Sequence, residues 1–289
     1  YSDTITDYSD RADRLAAGLQ KYGIVYNDEG QARISHGWGD ELSYHVGGWN
    51  DPDGVARRSL TSNAFWVLSG LYDRDTGLRG VIEKDILALD SKYGLRTFEP
   101  HFEPDAKGVG RIPKLPAGTA ENGAPYIHAS VFGVMALFRM GSPEAAWQEL
   151  IKSLPMTHDT ISVSPYVMPN SYGYNPEKNV DGQSMMDWQT GSSNVTLKLL
   201  VRFVAGVRPE YDGVWVQPAA YCPFGAFTAE VPVKGAVVRI RYKQTGAGKR
   251  RFTVDGEPAE GRYNDILKAQ RLWIPANRLK GTIEVTVED

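Results

Sequence analysis

Glu121, Asn122, Gly123, Tyr126 and His128 put a carboxylate, an amide, a glycine, a phenol and an imidazole within eight residues, just ahead of the apolar segment 131–138. Polar groups massed at the mouth of an apolar helix suit a binding or catalytic site. The plainer alternative is a helix start capped by Glu121 and Asn122, with His128 packed in a core. A second cluster is Thr190, Gly191 and Ser192, at the start of an expected helix over 192–207. A hydroxyl, a glycine N–H with no side chain in the way and the positive end of a helix together suit an anion; a simple N-cap is the alternative. His128 can donate to the same anion from a ring nitrogen. Aromatic rings also stand in polar, glycine-rich stretches: Trp38, Trp49, Tyr126, Tyr172, Tyr174 and Trp188. Most rings pack in cores, yet flat apolar faces beside carboxylates and amides are what a pyranose needs.

The elements that must position these groups follow from periodicity. Helices are predicted over 10–22, 61–72, 81–89, 126–140, 143–154 and 192–207, the fourth apolar nearly all round and therefore buried. Between them lie long polar loops at 27–59, 92–118 and 155–190, and loops of such length are usually functional. After Pro209 the pattern changes to short alternating segments at 214–216, 227–233, 236–242, 251–254, 272–274 and 282–287, punctuated by glycine turns. These read as an antiparallel β-sandwich. Six helices with long connections suit half of an (α/α)6 toroid better than a free-standing bundle. The expected fold is thus mainly α plus β. It comprises the second half of a toroid over 1–208, then a jelly-roll-like sandwich over 209–289.

Composition narrows the classes. The 289 residues are 42% hydrophobic with a formal charge of -3, an ordinary globular balance without a basic run for nucleic acid. The longest apolar run, near 195–207, is broken by Lys198 and Arg202, so no membrane span is expected. Cys222 is the only cysteine, which excludes an intrachain disulfide and fits a cytoplasmic location. No histidine spacing suggests a metal site; His36, His45 and His158 read as loop or packing residues.

Taken in order, the motifs resemble those of glycoside hydrolase family 94, the cellobiose-phosphorylase-like enzymes. Glu121–Asn122–Gly123 with Tyr126 and His128–Ala129 is similar to the family's E-N-G … Y-x-H-A motif. Trp188 to Ser192 resembles its W-x-T-G-S/T phosphate loop, and Gly206 to Gly213 resembles the start of its C-terminal jelly roll. The family's catalytic aspartate lies in a D-W-N-D-G motif, most similar here to Trp49–Asn50–Asp51, although Pro52 and Asp53 intrude before Gly54. Trp38–Gly39–Asp40 is a rival with the same W-x-D spacing. For either aspartate the plain alternative is an Asx-turn.

The resemblance implies inverting phosphorolysis of a β-linked gluco-oligosaccharide to a sugar 1-phosphate, with β-1,2-oligoglucans as one option and inorganic phosphate as co-substrate in place of a cofactor. Phosphate is already anionic, so one carboxylic acid, Asp51 on this reading, suffices to protonate the leaving oxygen. His128, Thr190 and Gly191 would hold phosphate. Trp49, Asp40, Glu121, Asn122, Tyr126 and Trp188 would contact sugar. The family's N-terminal sandwich and first half-barrel would come from a longer polypeptide or a second chain, and a homodimer is compatible. Two other readings stay open: a hydrolase or transglycosylase with Glu121 or Asp40 as base, and a non-catalytic carbohydrate-binding subunit.

Overall fold

The structure is a computed structural model that describes residues 2–38, 44–188, 190–246 and 248–289, leaving out the side chains of Trp38, Tyr44 and His45. The chain divides into two compact units: Tyr1–Gly133 with Lys152–Thr190, and Val134–Ile151 with Gly191–Asp289.

The first unit begins with helix α1 (Ser2–Tyr22), which starts earlier than its periodicity suggests. Asp3 in its first turn and Lys21 in its last complement the helix dipole, and none of its residues is buried. The glycine-rich stretch after it, expected to be loop, holds four short strands: β1 (Ile24–Tyr26), β2 (Ala32–Ile34), β3 (His36–Trp38) and β4 (Tyr44–Val46). They pair as two antiparallel hairpins, β1 with β2 and β3 with β4. Three-residue strands are too short to display an alternating pattern, which is why the sequence conceals them. Next come β5 (Arg58–Ser59), α2 (Leu60–Leu68), the single turn α3 (Leu71–Arg74), α4 (Arg79–Leu87) and β6 (Phe98–Glu99), with β5 antiparallel to β6.

Helix α5 (Ile127–Arg139) starts in this unit and continues in the other, with Ile127, Val131, Val134 and Leu137 fully buried, as its all-round apolarity demands. Gly133 lets it lie close to its neighbours, since a Cβ there would stand 2.5 Å from Leu95 and 2.8 Å from Leu60. Past α6 (Pro143–Ser153), the third expected loop contains a hairpin of β7 (Ser171–Asn175) and β8 (Val180–Met185). Nearly every residue of β7 is buried, so a two-residue period never appears in its sequence.

The second unit contains α6, α7 (Ser192–Leu199) and ten-odd short segments beyond. Helix α7 ends sooner than expected and passes into a π-helical turn at Leu200–Val204. The strands are β9 (Val207–Pro209), β10 (Gly213–Val216), β11 (Ala226–Val233), β12 (Ala236–Lys243), β13 (Arg251–Val254), β14 (Glu257–Ala259), β15 (Arg262–Asn264), β16 (Ala269–Pro275) and β17 (Thr282–Glu288). They form a five-stranded sheet ordered β11-β12-β17-β13-β14 and a four-stranded sheet ordered β15-β16-β10-β9. Val214, Val216, Leu272 and Ile274 of one sheet share a core with Val238, Ile240, Val285 and Val287 of the other. That is a sandwich, with apolar side chains alternating inward along each strand. One expectation is corrected: β12 and β17 run parallel, Val237 opposite Thr282 and Lys243 opposite Glu288. The segment between them includes β13–β16, a connection long enough for the crossover that parallel pairing requires.

Candidate active site

The segment from Gly118 to His128 is woven into the hairpin and loops around it. Gly118 N–H donates to the Asn122 carbonyl at 2.8 Å, and Tyr174 N–H donates to the Gly118 carbonyl at 2.8 Å. Thr97 Oγ1 donates to the Glu121 carbonyl at 2.9 Å. Ile127 N–H donates to the Asn170 carbonyl at 2.8 Å, which fixes the direction in which α5 starts.

Within this frame the expected site residues divide. Asn122 is completely buried, and its amide is used up by backbone: Nδ2 donates to Phe102 O and Leu115 O at 2.9 Å each, and Phe102 N–H donates to Oδ1 at 2.8 Å. It staples two loops together. Glu121 is partly exposed and paired with Arg111. The Tyr126 hydroxyl accepts from Asn170 Nδ2 at 3.1 Å. His128 lies half-buried in the first turn of α5, its ring 5.2 Å from that of Phe132. Glu121, Tyr126 and His128 thus share one loop–helix junction, each of them half-buried.

The Trp49–Asp51 stretch has a different character. Asp51 has no exposed side-chain surface. Gly47 N–H donates to its Oδ2 at 3.0 Å, Gly48 N–H to its Oδ1 at 2.9 Å, and Arg57 Nη1 to Oδ2 at 3.3 Å. Both oxygens thus accept hydrogen bonds that hold the loop in place. One face of Trp49 is covered by the Arg33 guanidinium, 3.7 Å from the ring centre. Asp40 lies outside the described residues. Trp188 is 73% exposed, whereas Thr190 is half-buried and Gly191 immediately precedes α7.

Arg57, which the sequence did not single out, ties these stretches together. It is 1% exposed, binds Asp53 through two nitrogens at 2.6 and 2.5 Å, and donates to Pro100 O and His101 O at 3.0 and 3.1 Å. Its guanidinium also stacks 3.6 Å from the Phe102 ring centre. The 47–57 loop is thereby fastened to the 98–102 loop, which Asn122 fastens to the Glu121 loop. A lone arginine in a loop carries no pattern, so only the fold reveals this role.

The electrostatics agree. Burial alone would raise the Asp53 carboxyl, but the hydrogen bonds and charge of Arg57 outweigh it and leave the group below the usual carboxylate range. Burial raises Asp85 despite Arg33 and Arg58 beside it, and burial lowers Arg33 and His36.

A cleft of about 330 Å³ opens beside this frame, lined among others by Arg96, Glu99, His101, Gly123, Asn175 and Glu177. Rings, paired charges and a preformed hollow next to a helix start are features of a small-molecule site in a carbohydrate-active enzyme. The chain belongs to the glycosyl hydrolase 94 superfamily, whose catalytic domain it matches over residues 7–206. It is 26% identical over 250 residues to solabiose phosphorylase of Paenibacillus borealis, covering 83% of this chain and 30% of that one. It is 28% identical over 229 residues to a 3-O-beta-D-glucopyranosyl-beta-D-glucuronide phosphorylase of the same organism, covering 74% and 30%. It is also 27% identical over 249 residues to the cyclic beta-(1,2)-glucan synthase NdvB of Rhizobium meliloti, covering 80% and 8%. The chain therefore spans less than a third of the length of these relatives. A solved structure titled Sialidase matches its fold with a TM-score of 0.52 at 15% identity, covering 78% of this chain and 20% of that one. Among the described residues no helix is long and apolar enough to cross a membrane.

Proposed function

We propose that this chain carries the phosphate-binding and part of the sugar-binding machinery of a glycoside phosphorylase, inverting and acting on a β-linked gluco-oligosaccharide. On this reading 1–208 is half of an (α/α)6 toroid, 209–289 a jelly roll, and a further part of the polypeptide or a second chain completes the barrel. The observation that carries the reading is family membership together with a Thr190–Gly191 pair that immediately precedes α7, whose helix dipole favours an anion. His128 supplies a ring donor to phosphate. Glu121 and Tyr126 address sugar hydroxyls, and Trp188 offers an exposed ring to stack on a pyranose.

Phosphate attacks the anomeric carbon from the face opposite the leaving oxygen. The C–O bond to the leaving sugar breaks as an acid protonates that oxygen, and the product is a sugar 1-phosphate of inverted configuration. The acid on this reading is Asp51 of the W-N-D motif, its carboxyl positioned by Gly47, Gly48 and Arg57, with Asp40 of the W-x-D motif as the rival. A cytoplasmic setting and a β-1,2 linkage belong to the same proposal, the latter supported by the NdvB likeness.

The test is a pair of variants of the natural polypeptide. Asp51→Asn is expected to lower phosphate-dependent release of sugar 1-phosphate by at least about a thousandfold in an enzyme that still folds. Asp40→Asn is expected to keep most of that release. Full activity in a folded Asp51→Asn enzyme would move the acid role to Asp40.

A further inference from the structure

The cleft beside Arg57 is built mostly of residues outside the motifs, with Gly123 of the E-N-G motif among them. Its back wall is main chain: Gly118 and Gly123 both hold positive φ, at +78° and +84°. A Cβ on Gly118 would stand 2.5 Å from Asn175 Cβ, and one on Gly123 would stand 3.1 Å from His101 Cβ. Its polar groups are pre-aimed. Asn175 is 6% exposed, its Oδ1 accepting from Glu177 N–H at 3.1 Å, and its Nδ2 donating to His101 Nδ1 at 3.2 Å. That bond leaves the His101 proton on Nε2, which donates to Glu103 at 2.9 Å. Phe98 and Tyr174 contribute rings to the lining, and Arg96 pairs with Glu99 at 2.7 Å.

Charge decides what fits. Glu99 is paired with Arg96 and Asp90 with Lys152, so Glu177 is the carboxylate that gives the lining its net negative charge, which disfavours phosphate or a uronate. Among the described residues the Glu177 carboxylate has no ion-pair partner, leaving two acceptor oxygens for hydroxyl donors. Rings and a carboxylate acceptor in a hollow of about 330 Å³ match a neutral pyranose. The cleft shares Gly123 with the Glu121 loop, so a chain of sugars bound at that loop has a continuation into it.

We propose that this cleft is an accessory subsite that binds a neutral sugar unit remote from the bond being cleaved, and so sets the oligosaccharide length the enzyme prefers. The proposal rests on the phosphorylase reading above for its context, but its test does not need turnover. Binding of cello-, laminari- and sophoro-oligosaccharides of two to five units would be measured by calorimetry on the natural polypeptide, without phosphate, for wild type, Glu177→Ala and Glu177→Gln. Wild type is expected to gain about tenfold in affinity with one added sugar unit in at least one series. That step should disappear in Glu177→Ala and be partly kept in Glu177→Gln, which retains one acceptor. No length-dependent step in wild type, or an undiminished step in Glu177→Ala, would overturn the subsite. Sugar 1-phosphate formation, measured separately, tests the phosphorylase reading itself, so the two failures are distinguishable.

Discussion

Arg57 and Asp51 illustrate how much a single buried pair can decide. Two backbone N–H groups and a guanidinium converge on the Asp51 carboxylate, and the same guanidinium reaches across to Pro100 and His101. An aspartate in a glycine-rich Trp-Asn-Asp turn reads identically whether it is an acid or an anchor. Glu121 and His128 stand out in the sequence because their residue types are uncommon at the start of an apolar helix. Tyr172 adds a titratable limit to the same unit. Burial pushes its phenol up to about 12; the Ser162 hydrogen bond pulls the other way, and Asp187 and Tyr93 add to the rise. An unfolded tyrosine ionises near 10, so the stabilisation is complete below about 10 and is lost as pH rises through about 12. Between pH 8 and pH 11, Tyr172→Phe should therefore lose about 1 kcal/mol less stability in urea melts than wild type. Equal losses would show that Tyr172 is not held neutral by its surroundings.

Among the elements, the weave of the Gly118 loop with β7 matters most for the site. Gly118 has φ +78°, and a Cβ there would meet Asn175 Cβ at 2.5 Å and the Tyr174 carbonyl oxygen at 2.6 Å. Neither backbone can withdraw without breaking the Tyr174–Gly118 hydrogen bond. Gly118→Ala is accordingly expected to cost about 2 kcal/mol in chemical denaturation. A variant as stable as wild type would mean that loop and hairpin are not locked as described. The sandwich strands were legible because inward and outward side chains alternate cleanly, as in β12 and β17. The hairpins of the first unit were not, since strands buried on both faces or three residues long carry no period.

On the scale of the whole molecule, a shift from helical periodicity to alternation marks where the sandwich begins, near Pro209. The compact units divide elsewhere, because α6, α7 and the second half of α5 go with the sandwich. Such a division depends on which surfaces meet in three dimensions, and composition along the chain does not encode it. Family membership was legible because several short motifs recur in one order, each weak alone. The most direct measurement is to incubate the natural polypeptide with a β-linked gluco-oligosaccharide, with and without inorganic phosphate, and follow products by proton NMR. An α-configured sugar 1-phosphate that forms only when phosphate is present is the expected result. Free sugar released at the same rate without phosphate, or a sugar phosphate of retained configuration, would contradict it.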